Sequence, residues 1–114
     1  MRFTRNGDLI RVVHVTGPTH NLLGLQLATE PLIREIEELD VPGARQLEAA
    51  DVEREVCAGV EDANAALGTR FAVGRIQFVP SDSGPASFYR ELARAVVQHV
   101  AEETGTKHPF QRAG

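Results

Sequence analysis

Residues Val73–His99 read VGRIQFVPSDSGPASFYRELARAVVQH, and the pattern changes character twice. In the first part Ile76 and Phe78 alternate with Arg75 and Gln77. That is the two-residue period of a strand with one buried face, predicted over Phe71–Val79. Pro80 has no N–H for a ladder and ends the strand. A cluster of Ser, Asp, Gly and Pro follows, the residues that turns use. From Pro85 to Glu103 the apolar residues Phe88, Leu92, Ala95, Val96, His99 and Val100 recur at helical spacing. Arg90, Arg94 and Gln98 form a second, polar stripe four residues apart. A strand, a turn-rich loop and an amphipathic helix therefore lie within one short stretch.

Working outward, Glu48–Leu67 predicts another helix. Val52, Val56, Val60, Ala63 and Leu67 form its apolar face, and Gly68 is its stop. Gly59 inside it costs about 1 kcal/mol against Ala, which implies close packing, expected here against the sheet. Leu9–Val15, LIRVVHV, is rich in β-branched residues and reads as a strand. Past Gly17-Pro18, Leu23, Leu25 and Leu27 alternate with Gly24, Gln26 and Ala28, a second strand. The two form a hairpin with its turn at Thr16–Thr19, and Gly24 marks a bulge or a close backbone approach. Glu30–Leu39, EPLIREIEEL, fits either element. Leu32, Ile33, Ile36 and Leu39 suit a helix face capped by Thr29. The DVPG turn after it and the three-stranded meander it would complete favour a strand, and that is the reading taken. Residues 1–7 and 106–114 are expected to be loose ends of a single domain, 1–114. The fold class is α+β: a four-stranded, mostly antiparallel sheet with two helices on one face, in the order βββαβα. Arg75 and Gln77 would then lie on the uncovered face.

Composition narrows the classes. The chain has 114 residues, 42% hydrophobic and 25% charged, enough to bury a core and unlike a disordered chain. With no Trp and one Tyr, the core is expected to rest on Val, Leu, Ile and Ala, with Phe71, Phe78 and Phe88 as its large pieces. The net charge of -4 lacks the basic footprint of nucleic-acid binders. One cysteine, Cys57, excludes an internal disulfide. Without a signal peptide or a long apolar run, a cytoplasmic setting with no membrane contact is expected. Mid-helix Cys57 reads as a small buried hydrophobe rather than a thiolate nucleophile.

In element order the chain resembles the ribosomal-protein S5 second-domain class, which includes the fourth domain of ribosomal translocase elongation factors. The residues that carry the likeness are the helix DVEREVCAGVEDANAALG, Asp51–Gly68, and the strand GRIQFVP, Gly74–Pro80, within a span from Glu30 to Val100. The resemblance implies a fold and a ribosomal setting, and it carries over no functional residue.

Candidate chemistry gathers at the strand-to-helix loop. Gly84 as cap and Pro85 at the first helical position would expose backbone N–H groups. With the hydroxyls of Ser81, Ser83 and Ser87 these suit a small anion. The same residues also make an ordinary turn, with Asp82 or Ser83 capping the helix. No GxxxxGK[ST] or GxGxxG pattern is present. His14 and His20 lie on the two hairpin strands and are expected to approach one another. His14 reads as a satisfied strand residue. His20, as general base, with Asp82 and Ser83 makes a catalytic set that lacks a GxSxG elbow. No spacing demands a metal, and no motif implies a cofactor. The run Glu35, Glu37, Glu38, Asp40 reads as a solvated face. His99 reads as a core or edge histidine.

Two functions fit. One is a non-enzymatic binding or accessory module that uses the open sheet face, with Arg75 and Gln77, or the hairpin edge, for a protein partner or self-association. The other is a small enzyme or a protein for an anion or metabolite. Its site would comprise Ser81, Asp82, Ser83 and Gly84 near His20. Contact between His20 and Asp82 beside a concave pocket would favour the second.

Overall fold

The computed structural model describes residues 1–17 and 19–104. Five strands and two helices follow the order β1 (Arg2–Asn6), β2 (Leu9–Thr16), β3 (Thr19–Ala28), β4 (Glu35–Glu38), α1 (Ala49–Leu67), β5 (Ala72–Phe78), α2 (Phe88–Thr104). The class is α+β. The sheet has five strands rather than four, in the spatial order β1-β2-β3-β5-β4. Every pairing is antiparallel except β4 with β5.

Two expectations need correction. Residues 1–7 are not a loose end: Arg2–Asn6 pairs with β2 from Arg2↔Val13 to Asn6↔Leu9. Phe3 turns its ring onto His99 of α2, with centroids 4.2 Å apart, and Arg5 donates to Glu103 at 2.6 Å. The third strand of the meander is therefore β1, not Glu30–Leu39. Within that segment Glu35–Glu38 is extended, but it runs parallel beside β5 at the sheet edge. Its link to β5 passes through α1, the crossover that parallel neighbours require. The other expected loose end, 106–114, lies outside the described residues.

Both helices pack on one face of the sheet. Ile10, Val12, Leu23, Leu25, Ile76 and Phe78 meet Val52, Val56, Val60, Leu92, Val96 and Val97 in one apolar core. The largest fully buried side chain is Tyr89, ahead of Phe78, whereas Phe71 and Phe88 are only partly buried. A phenol tolerates that position because its hydroxyl has a partner, the Asn21 amide at 3.3 Å. Burial, together with nearby Asp82, pushes the Tyr89 hydroxyl up to about 12 against the opposing pull of Asn21.

Gly59 is explained by the other helix rather than by the sheet. A Cβ there would stand 2.3 Å from the Arg90 carbonyl oxygen and 3.0 Å from Ala93 Cβ. Outside this close approach, Arg90 donates twice to Asp62, at 2.6 and 3.0 Å. That hydrogen bond holds the Asp62 carboxyl below its ordinary range. Gly24 admits a side chain across its face: a Cβ there would sit 2.6 Å from Gln77 Oε1. The ladder irregularity lies between Leu25 and Leu27 instead.

Candidate functional site

The loop after β5 is tied down from both sides. The Pro80 carbonyl accepts from Gln46 and Leu47 N–H, at 2.8 and 3.1 Å. On the other flank the loop continues the pairing of β5 with β3, using side chains where strand backbone has ended. Asp82 Oδ2 accepts from Leu22 N–H at 2.9 Å. Ser83 N–H donates to the His20 carbonyl, and Ser83 Oγ accepts from His20 N–H, both at 3.2 Å. Asn21 Nδ2 donates to the Ser83 carbonyl at 2.7 Å. Asp82 is buried on this contact and does not cap α2.

His20 Nδ1 stands 3.2 Å from Asp82 Oδ1, and the imidazole is more than half exposed. With the carboxylate as acceptor, the neutral ring carries its proton on Nδ1 and offers the Nε2 lone pair to solvent. This is the oriented half of an acid-base set. The Ser83 hydroxyl is bonded to the His20 backbone rather than to its ring, so the three residues do not line up as nucleophile, base and orienter.

The two hairpin histidines do not approach one another. The register pairs His14 with Asn21 and Val15 with His20, so alternation sends His14 to the helix side and His20 to the open side. His14 leans on the Phe88 ring, with centroids 5.1 Å apart and a tilt of 59°. It is not the satisfied strand residue the sequence implied: Nδ1 is buried with no hydrogen-bond partner. An orphaned lone pair costs less than an orphaned N–H, so the proton belongs on Nε2.

His14 forms part of the wall of a cavity of about 320 Å³ between the hairpin end and the start of α2. The hairpin contributes His14, Thr16, Thr19 and Asn21. The loop and helix contribute Gly84, Pro85, Ser87, Phe88 and Glu91. Its size lies at the lower end of small-ligand sites, and a mixed polar and aromatic lining is typical of them. His20 and Asp82 lie across β3 from this space, joined to it through Asn21 and Ser83.

A family-model scan, a search of curated proteins and a search of solved structures each found no match to the chain.

The candidate residues thus divide. Gly84 lines the cavity. Asp82 and Ser83 fasten the loop beside it. Ser81 packs against Gly43, where a Cβ would meet Ser81 Cβ at 2.7 Å and φ is 143°. Arg75 and Gln77 lie on the open face, far from the cavity in the sheet. Gln77 is buried there, because Arg11 donates to its Oε1 twice at 3.1 Å and its own amide donates to Glu37 at 3.0 Å. This row crosses the sheet over Gly24 and occupies the centre of the open face. Pro85 is not in the first helical turn. Residues 85–87 form tight turns, in which Phe88, Tyr89 and Arg90 N–H groups donate to the Pro85, Ala86 and Ser87 carbonyls. Those N–H groups thus already have acceptors.

Sequence reasoning missed Thr16, Thr19, Asn21, Phe88 and Glu91 as neighbours. The one available signal was the short turn, which fixes the register opposite His14. No group of three His, Cys, Asp or Glu side chains able to hold a metal ion occurs among the described residues. Burial raises the Cys57 thiol, with Arg34 opposing and Glu53 and Glu61 assisting, the direction that disfavours a thiolate. No helix among the described residues is long and apolar enough to cross a membrane.

Proposed function

We propose that this protein is a small-molecule-binding module whose site is the cavity between the β2–β3 hairpin end and the start of α2. The observation that carries the reading is the cavity wall itself. His14, with one nitrogen buried and unpartnered, stands beside Phe88, opposite Asn21 and near Glu91, around about 320 Å³ of space. Convergent polar groups on an aromatic wall are what fix the orientation of a small ligand. The Asp82–Ser83 clip holds Asn21 and Gly84 in place, so the site is largely formed before a ligand arrives. The likeness in element order to the S5 second-domain class contributes no residue to it.

The test is a fragment screen read by amide chemical shifts, with Ser87→Trp as the filled-cavity control. Ser87 is exposed at the rim, so the substitution leaves the core alone. Hits that shift Thr19, Asn21 and Phe88 in the parent and vanish in Ser87→Trp support the reading. Hits that are indifferent to the substitution, or none at these residues, overturn it.

A second reading is self-association through the open sheet face. Val15 is 58% exposed there, beside partly buried Val13 and Leu22. It ranks second because the polar groups at the centre of that face already bond to one another. Sedimentation of the parent against Val15→Lys tests it. A dimer that the substitution dissolves supports it, and a monomer at high concentration ends it.

A further inference from the structure

The hydrogen-bonding capacity left over in the cavity specifies the charge of what it holds. The two Asn21 amide hydrogens go to the Ser83 carbonyl and the Tyr89 hydroxyl. The amide orientation is fixed, because a carbonyl 2.7 Å away only accepts. Asn21 Oδ1 is left as an acceptor. Thr19 Oγ1 donates to the Thr16 carbonyl at 3.0 Å. The Thr16 hydroxyl, 2.7 Å from Thr19 Oγ1, is then the donor of that pair. Both threonine hydrogens are engaged, and their oxygens keep only lone pairs. Among the described lining residues the one formally charged side chain is Glu91. Its ion pairing is a 3.8 Å contact with Arg94, which also approaches Asp62 at 3.7 Å. Among the described residues no Lys or Arg lines the cavity. The side-chain donors that remain among the described lining residues are His14 Nε2–H and the Ser87 hydroxyl.

We infer that the ligand is a small organic ammonium that also carries a hydroxyl or carbonyl oxygen. This rests on the cavity being a ligand site, and it specifies the class. The ammonium supplies the hydrogens that Asn21 Oδ1, the threonine oxygens and Glu91 lack, and the Phe88 face favours a cation. The ligand oxygen accepts from His14 Nε2–H, while an apolar portion packs on Phe88 and Pro85. An anion would meet the Glu91 carboxylate in a lining of acceptors, and the backbone N–H groups that start α2 already donate to carbonyls.

Three probes of one shape separate the outcomes: phenylethanolamine, styrene glycol and mandelate, which differ only in an ammonium, a hydroxyl or a carboxylate. Each is titrated at millimolar concentration into the parent, Glu91→Gln and Ser87→Trp, and followed by amide and histidine ring shifts. The expected result is saturable shifts at Asn21, Phe88 and His14 with phenylethanolamine, weaker ones with styrene glycol and none with mandelate. Glu91→Gln weakens phenylethanolamine by about fivefold, the scale of a half-exposed ion pair, and leaves styrene glycol unchanged. Mandelate or styrene glycol binding there as well as the amine overturns the charge assignment and leaves the binding site standing. Silence at these residues with all three probes, together with a fragment screen that finds no hit there, overturns both.

Discussion

Removing the Asp82 carboxylate tests whether the loop is fastened as described. In Asp82→Ala, Leu22 N–H loses a charged acceptor 2.9 Å away at a position where Leu22 is partly buried. Hydrogen bonds to charged groups contribute about 1.5–3 kcal/mol. The lost contact with His20, whose ring is more than half exposed, adds at most about 1 kcal/mol. The expected loss is therefore about 2–4 kcal/mol. Asp82→Asn keeps an oxygen for Leu22 N–H and loses only the charge, so it should cost about 1 kcal/mol. Urea unfolding reads both. With a slope of about 2 kcal/mol per molar for a domain of this size, Asp82→Ala moves the midpoint down by about 1–2 M. Asp82→Asn moves it by about a third of that, with the slope unchanged in both. Equal, small shifts for the two variants would refute the clip, because the carboxylate would then hold no backbone donor in place. Equal, large shifts would refute the ranking, because the negative charge of Asp82 rather than its acceptor oxygen would then dominate.

Three further outcomes follow from the core. Phe78→Ala, at a fully buried ring, should lose about 3–5 kcal/mol; a near-parental melting curve would displace β5 from the centre. Gly59→Ala gains about 1 kcal/mol of helix propensity but drives a methyl into the Arg90 carbonyl. A net loss of about 1–3 kcal/mol is expected, and a rise in melting temperature would refute the close α1–α2 approach. The Tyr89 hydroxyl is raised to about 12 from an ordinary 10.0, so the unfolded chain releases this proton first. Its contribution is intact below pH 10 and declines between pH 10 and 12, by about 2–3 kcal/mol in all. Urea unfolding across that range should show the decline in the parent and its absence in Tyr89→Phe.

The sequence made much of this scaffold readable, for reasons that differ by element. Strands β3 and β5 each bury a full face, so alternation marks them to within a residue or two, and the β-branched run Leu9–Val15 does the same for β2. Helix α1 shows its stripe for the same reason. Strand β1 hid because RFTRN presents one apolar side chain to the core; its pairing comes from backbone and from Phe3 alone. The segment Glu30–Leu39 was readable as extended, but its parallel place beside β5 is decided by α1, a tertiary event. In α2 the apolar spacing points to Phe88, whereas Tyr89 is the buried ring, since Asn21 reaches its hydroxyl from β3. For the site, the contact of His20 with Asp82 was anticipated as a neighbourhood. The opposite facing of His14 was already implied by a turn at Thr16–Thr19, since that turn sets His14 against Asn21. What no local pattern contained was the cavity, whose wall is shared between the hairpin end and the start of α2.

The most direct measurement is a crystal structure of the protein soaked with phenylethanolamine. The account predicts density for the molecule between the hairpin end and α2, with its ammonium facing Asn21 Oδ1 and Glu91, its hydroxyl within reach of His14 Nε2 and its ring against Phe88. The amine bound elsewhere while this cavity holds only solvent, or bound here with its ammonium turned away from Glu91 and Asn21, would contradict it.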